Sequence, residues 1–135
     1  MKIRALRLQP DQDLKVSLKN YARENQIKAG VILTCVGSLK LATLRMANGL
    51  DVKIFEDKYE LVSLVGTFSA DGCHLHISLS DRNGNVIGGH VKEGCMIFTT
   101  AEIVLGEIQN MSFTREMDNN TGFKELVIKQ RSDIS

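Results

Sequence analysis

The sequence predicts an α+β domain, with one helix packed against a mostly antiparallel β-sheet. Three observations carry that prediction. Only one long stretch, Leu14 to Ile27, has apolar residues at helical spacing. Most of the remainder consists of β-branched or alternating runs with the period of strands. Turn residues punctuate those runs, with Asn48-Gly49 and Asp81-Arg82-Asn83-Gly84 as the clearest cases. At 135 residues with no shift in composition, the chain fits a single domain over 1–135 that can bury a sizeable core, ordered to about residue 130 and frayed from Arg131 to Ser135.

Composition narrows the function classes. Seventeen basic and sixteen acidic residues leave a formal charge of +1, so there is no bulk signature of nucleic-acid or anionic-membrane binding. Lys2, Arg4 and Arg7 precede no apolar signal core, and no apolar run is long enough to span a bilayer. A cytoplasmic protein with no membrane partner is expected. The three cysteines, Cys35, Cys73 and Cys95, lack CxxC spacing and read as reduced thiols in the core. Cys73 precedes His74, but on an alternating strand it points away from the histidines.

In chain order, Ile3, Ala5, Leu6 and Leu8 form a first strand that stops at Pro10. Asp11 and Asp13 are N-cap candidates for a helix carrying Leu14, Leu18, Tyr21, Ala22 and Ile27, ended by Gly30. Ala29 to Val36 reads as a buried strand closed by Gly37-Ser38, followed by short strands at Leu41 to Met46 and Val52 to Phe55. Tyr59 to Ser69 is a long strand. Cys95 to Glu107 places Ile97, Thr99, Ala101, Ile103 and Leu105 toward the core and Thr100, Glu102 and Val104 away from it. Glu107 to Thr121 has weak periodicity and reads as an irregular connection, and Glu125 to Ile128 as a last short strand. One helix cannot cover both faces of such a sheet, so the bare face must be polar or buried by another subunit.

All three histidines fall within one hairpin. Alternation from His74 to Ser80 puts His74, His76 and Ser78 on one face and Leu75, Ile77 and Leu79 on the other. Asp81-Arg82-Asn83-Gly84 fits a type I turn with glycine last, giving a three-residue loop that pairs Leu79 with Ile87, Leu75 with Val91 and His76 with His90. A two-residue loop would set His90 against Ile77 and mix the faces. With the longer loop, His74, His76 and His90 share one face and present the three-nitrogen set that zinc prefers, with one position left open. Their alternative role is hydrogen bonding at a subunit interface or in a polar pocket.

The ordered set Glu60 to Ser69, Gly72, His74-Leu-His76, Ser80-Asp81, Gly84, Gly88-Gly89-His90, Gly94 and Thr100-Ala-Glu102 resembles the PPC domain, the plants-and-prokaryotes conserved domain that accompanies AT-hooks in plant nuclear proteins. Ala29-Gly30, Gly37-Ser38-Leu39, Phe113-Thr-Arg115, Thr121-Gly122 and Glu125-Leu126 extend the likeness across most of the chain. The resemblance implies a PPC fold, assembly as a homotrimer through buried sheet surface, metal binding through the histidines, and the family's DNA-binding label. The plant DNA contact is attributed largely to the AT-hook, a basic segment that this sequence lacks; its one proline is Pro10. The stretch holding Tyr59, Glu60, Leu61, Gly66 and Phe68 resembles the region that plant members use for oligomer and partner contacts.

Glu102 is a candidate to orient an imidazole or act as a general base, against a plain role as a solvated or interface carboxylate. Arg115 is a candidate for an anion near the histidines or for an intersubunit ion pair. Gly88-Gly89 permits close approach of a ligand or backbone beside His90, or forms a bulge. No phosphate loop, serine elbow or Walker pattern is present. The expectation is a stand-alone PPC-domain protein, a homotrimeric DNA-binding or regulatory module holding zinc on His74, His76 and His90, with a small-molecule or anion ligand at that face. The alternative is a zinc-dependent enzyme of hydrolase or lyase type using the same histidines, with Glu102 assisting.

Overall fold

The computed structural model describes residues 1–130, so the expected fraying of Arg131 to Ser135 lies outside the described residues. The elements in order are β1 (Lys2–Leu8), α1 (Leu14–Glu24), β2 (Gly30–Arg45), β3 (Val52–Phe55), β4 (Tyr59–Ser69), β5 (Gly72–Ser80), β6 (Val86–Val91), β7 (Met96–Glu107), β8 (Met111–Met117) and β9 (Lys124–Gln130). This is the expected α+β architecture, mostly antiparallel sheet with a single helix.

Asp13 starts α1. Its carboxylate accepts the Val16 amide at 3.0 Å and the Gly94 amide at 2.6 Å, which caps the helix and ties it to the turn before β7. Leu14, Leu18 and Ala22 recur at helical spacing and are fully buried against the sheet. The helix ends earlier than the sequence predicts. Gln26 adopts φ 52°, and the Ile27 amide bonds back to the Ala22 carbonyl at 2.9 Å, so the stop is a left-handed residue at Gln26, and Gly30 instead opens β2.

The main correction to the sequence reading is β2, which runs unbroken for 16 residues through Gly37-Ser38. Register shifts against β7 at Ile32/Thr34, Gly37/Leu39 and Leu39/Leu41 bend the strand where a turn was expected. Between the pairs Gly37↔Ala101 and Leu39↔Ile97, three residues of β7 oppose Ser38 alone. That bulge turns Thr99 outward, contrary to its expected core position, and its hydroxyl hydrogen-bonds the Ser38 hydroxyl at 2.8 Å. Bending gives the two ends of β2 different neighbours. Its first part lies between β4 and β7, while Ala42 to Arg45 pair with β3, and Leu44 and Arg45 also pair with Val91 and His90 of β6. The sheet order is β1-β7-β2-β4-β5-β6, and the β2–β6 pairing closes β2, β4, β5 and β6 into a ring.

Leu39, Leu44, Phe68, Leu75, Ile77, Leu79, Val91, Ile97, Ile103 and Leu105 join the helix side chains in one core. Each such side chain stabilises the fold by roughly 1.5–3 kcal/mol relative to exposure. The face away from α1 carries Ile3, Leu33, Val36, Val62 and Val65, all exposed.

Met111 to Met117, expected as an irregular connection, is strand β8, paired with β9 in a separate two-stranded sheet. Of its seven residues only Phe113 is buried, so no apolar face marks it as a strand. It is anchored instead by hydrogen bonds: the Phe113 amide to the Lys28 carbonyl at 2.8 Å, the Ser69 hydroxyl to the Phe113 carbonyl at 2.9 Å, and the Arg115 amide to the Asp71 carboxylate at 2.8 Å. Among the described residues, no helix is long and apolar enough to cross a membrane.

Candidate metal centre

The β5–β6 hairpin has the three-residue loop. The Gly84 amide bonds the Asp81 carbonyl at 3.0 Å with Gly84 at φ 82°, and the Asp81 amide bonds the Asn85 carbonyl at 2.9 Å. The Asp81 carboxylate accepts the amides of Asn83 and Asn85, both at 2.9 Å, locking the loop. Ser80↔Val86, Leu79↔Ile87 and His76↔His90 follow as register pairs. Leu75, Ile77 and Leu79 enter the core, and His74, His76 and His90 share the outward face.

Two backbone devices hold the histidines in place. Gly66 of β4 has φ 151°, and a Cβ there would lie 2.0 Å from the His74 carbonyl oxygen, so only glycine lets β4 approach β5 at that point. The β5–β6 register has no shift, which makes Gly88-Gly89 a close backbone approach and not a bulge: a Cβ on Gly88 would meet the Ile77 carbonyl at 2.4 Å.

One nitrogen from each imidazole lies within 4.8 Å of the others. The Nε2 atoms of His74 and His76 are 3.2 Å apart. Two nitrogens on a tetrahedral zinc with bonds of 2.0–2.1 Å stand about 3.3 Å apart, so that edge already suits the ion. His90 Nδ1 is buried and has no hydrogen-bond partner, a condition that costs about 1–3 kcal/mol and that a bound cation would offset. Burial, then the positive charge of Arg45, pushes the His90 imidazole down to about 4. Burial and the neighbouring His76 lower His74 as well. Both effects favour the neutral, ligand-competent ring. The donor set fits a zinc-type ion.

The histidines open onto a cavity of about 1070 Å³. Its wall includes Lys15, Arg45, Lys92, Arg115, Phe123 and Lys124. Arg115 donates from Nη2 to Thr67 Oγ1 at 3.0 Å, and Thr67 is the cross-strand partner of His74. Arg45 pairs with His90 and lies 5.1 Å from the centroid of the Phe123 ring. Burial pushes the Lys15 ammonium down from its ordinary range.

The other sequence candidates are distributed unevenly. Arg115 lines the cavity. Glu102 faces outward on β7, paired with Val36, and is not in the cavity wall; β2 and β4 separate its strand from β5, roughly 14 Å at ordinary strand spacing. Tyr59, Leu61 and Phe68 are buried in the chain's own core because β4 points alternate residues inward, so of the expected interface set only Glu60 is exposed and Gly66 half-buried. All three cysteines are free, and burial pushes the Cys35 thiol up to about 12 and Cys73 and Cys95 to about 11, which leaves them unreactive. Sequence reasoning missed Lys15, Arg45, Lys92, Phe123 and Lys124. The Arg45–His90 pairing was discoverable only by reading β2 through Gly37-Ser38, and no local signal marks the others.

A sequence model of the Plants and Prokaryotes Conserved (PCC) domain matches residues 1–109. The chain belongs to this family. The matched segment contains the histidine hairpin and ends before β8, so the PCC-like positions at Phe113 to Arg115, Thr121-Gly122 and Glu125-Leu126 fall beyond it. A hypothetical protein from Salmonella enterica has 37% identity and a TM-score of 0.93, covering 97% of this chain and 95% of that one. A metal-containing protein from Archaeoglobus fulgidus has 26% identity and a TM-score of 0.73, covering 94% of each chain. The bifunctional protein GlmU of Synechococcus sp. strain JA-3-3Ab is 42% identical over all 135 residues, which make up 22% of its length. The chain thus spans about a fifth of the length of the curated relatives it matches.

Proposed function

We propose that the chain is a metal-binding module of the PCC family that holds a divalent ion, zinc by ligand preference, on His74, His76 and His90, and that it works as a homotrimer in a binding or regulatory role. The observation that carries the metal reading is the convergence of three imidazoles, one nitrogen of each within 4.8 Å of the others, on a chain whose His90 Nδ1 is buried and unpartnered. The description of the Archaeoglobus relative as metal-containing agrees with it. When bound, the ion supplies Lewis acidity at the floor of the cavity. The exposed Leu33, Val36, Val62 and Val65 on the face opposite α1 support assembly through that face.

Elemental analysis of untagged protein combined with native mass measurement tests both parts. About one zinc per chain and a mass three times the 15.0 kDa of the chain are expected. No uptake on adding zinc would overturn the metal site, and a monomer mass would overturn the trimer. A role on DNA requires a surface assembled from several copies, because one chain carries only +1. Duplex binding measured across a salt series tests it, and absence of salt-dependent binding by the assembled protein removes DNA from the proposal.

The cavity favours a second reading, a zinc-dependent hydrolase or lyase. Glu102 of the same chain is remote, so an assisting carboxylate would come from Glu125, which lines the cavity, or from Glu102 of a neighbouring subunit. A panel of ester and phosphoester substrates compared for wild type, His76→Ala and Glu102→Gln tests this reading. Equal turnover in all three would sink it.

A further inference from the structure

We infer that the cavity above the histidines binds a small organic oxyanion, a molecule bearing a carboxylate or phosphate group, gripped between the histidine face and Arg115. For one of its two anchors the inference rests on the metal reading; the other anchor is the chain's own charge.

Five elements or their flanks each send one cation to the cavity wall: Lys15 from α1, Arg45 from β2, Lys92 just after β6, Arg115 from β8 and Lys124 from β9. Only two carboxylates, Asp71 and Glu125, share that wall, and Asp71 already accepts the Arg115 amide. None of the five cations makes an ion pair among the described residues, whose salt bridges are Arg4–Glu107, Lys19–Glu93, Lys40–Asp11 and Arg82–Asp57. On a chain with a net charge of +1, such a concentration at one cavity is not a by-product of composition. Converging like charges repel one another, and an anion in their midst relieves that repulsion.

Arg115 is built to meet an oxyanion. Its backbone is fixed by Asp71 and one guanidinium nitrogen by Thr67, which leaves the remaining donors of a preset planar fork for a ligand. About 1070 Å³ is far more than a bare inorganic ion needs and lies at the upper end of cavities that hold organic ligands. Met46 and Phe123 supply apolar wall for the organic part. Arg115, Phe123 and Lys124 all come from the β8–β9 hairpin, beyond the segment that matches the family model. The matched segment therefore supplies the histidines with Lys15, Arg45 and Lys92, and the hairpin adds Arg115, Phe123 and Lys124.

Calorimetric titration of zinc-loaded and metal-free protein with phenyl phosphate and with succinate tests this. At least one probe should bind wild type, and whichever binds identifies the anion class. Arg115→Gln should weaken binding about tenfold or more, the scale of one charged hydrogen bond, and Arg45→Gln should weaken it in the same direction should Arg115→Gln fail to fold. Lys40→Gln, which removes the partner of Asp11 away from the cavity, should leave binding unchanged. Arginine-dependent binding by a protein that takes up no zinc would uphold the anion site and defeat the metal reading. Neither probe binding in either state, or equal weakening by the arginine variants and Lys40→Gln, would overturn the inference.

Discussion

His90 carries a pH dependence that its surroundings impose. In the metal-free fold its ring titrates at about 4 instead of 6.5, first because of burial and then because of Arg45. The unfolded chain therefore binds the proton more readily, and stability falls as pH drops through the window from about 6.5 to about 4. Chelator-treated wild type should lose thermal stability across that window more steeply than His90→Asn, and parallel slopes would show that another group controls the loss. Gly66 carries a different constraint. Its φ of 151° and its approach to the His74 carbonyl leave no room for a side chain, so Gly66→Ala should cost roughly 1–3 kcal/mol in a denaturant melt and reduce zinc uptake by displacing His74. Full stability with full uptake would argue against that positioning.

At the scale of elements, the β5–β6 hairpin was legible from sequence because two independent signals agreed. Alternation fixed the faces, and the Asp81 to Gly84 turn fixed the register, so the His76↔His90 pair follows from residues within 15 positions of one another. Deleting Asn85 while the Arg82 to Gly84 loop is kept should pair Asp81 with Val86, oppose His90 to Ile77 and abolish metal uptake, while the chain loses stability as apolar residues turn outward; retained uptake by the deletion variant would mean that register does not assemble the site. Other elements were hidden for physical reasons. Gly37-Ser38 has the composition of a turn, yet long-range pairing with β7 holds it inside a bent strand. The β8 strand buries one side chain and is kept by hydrogen bonds to Lys28, Ser69 and Asp71, none of which leaves a periodic trace. The cavity's cations come from five places along the chain, and only the folded ring, the packed helix α1 and the β8–β9 hairpin bring them together.

Across the whole molecule, the helix covers one side of the sheet and leaves Leu33, Val36, Val62 and Val65 facing out on the other. Val36 is 56% exposed and sits opposite Glu102. Val36→Asp would place a second carboxylate beside that glutamate and, if the proposed homotrimer forms through this face, should shift sedimentation toward monomer without unfolding the chain; the same sedimentation as wild type would move the proposed interface elsewhere. One further pairing bears on how the molecule behaves in dilution. Val65 is the cross-strand partner of His76, and the two border a shallow depression with Gly66, Thr67 and His74. A protomer docked on Val65 would shield His76, so ion uptake and self-association would share one thermodynamic cycle, in which each changes the other's equilibrium constant by the same factor. Zinc affinity should then depend on chain concentration, and a strong chelator should shift the association midpoint. Identical zinc affinity in the dilute and concentrated protein would uncouple the two.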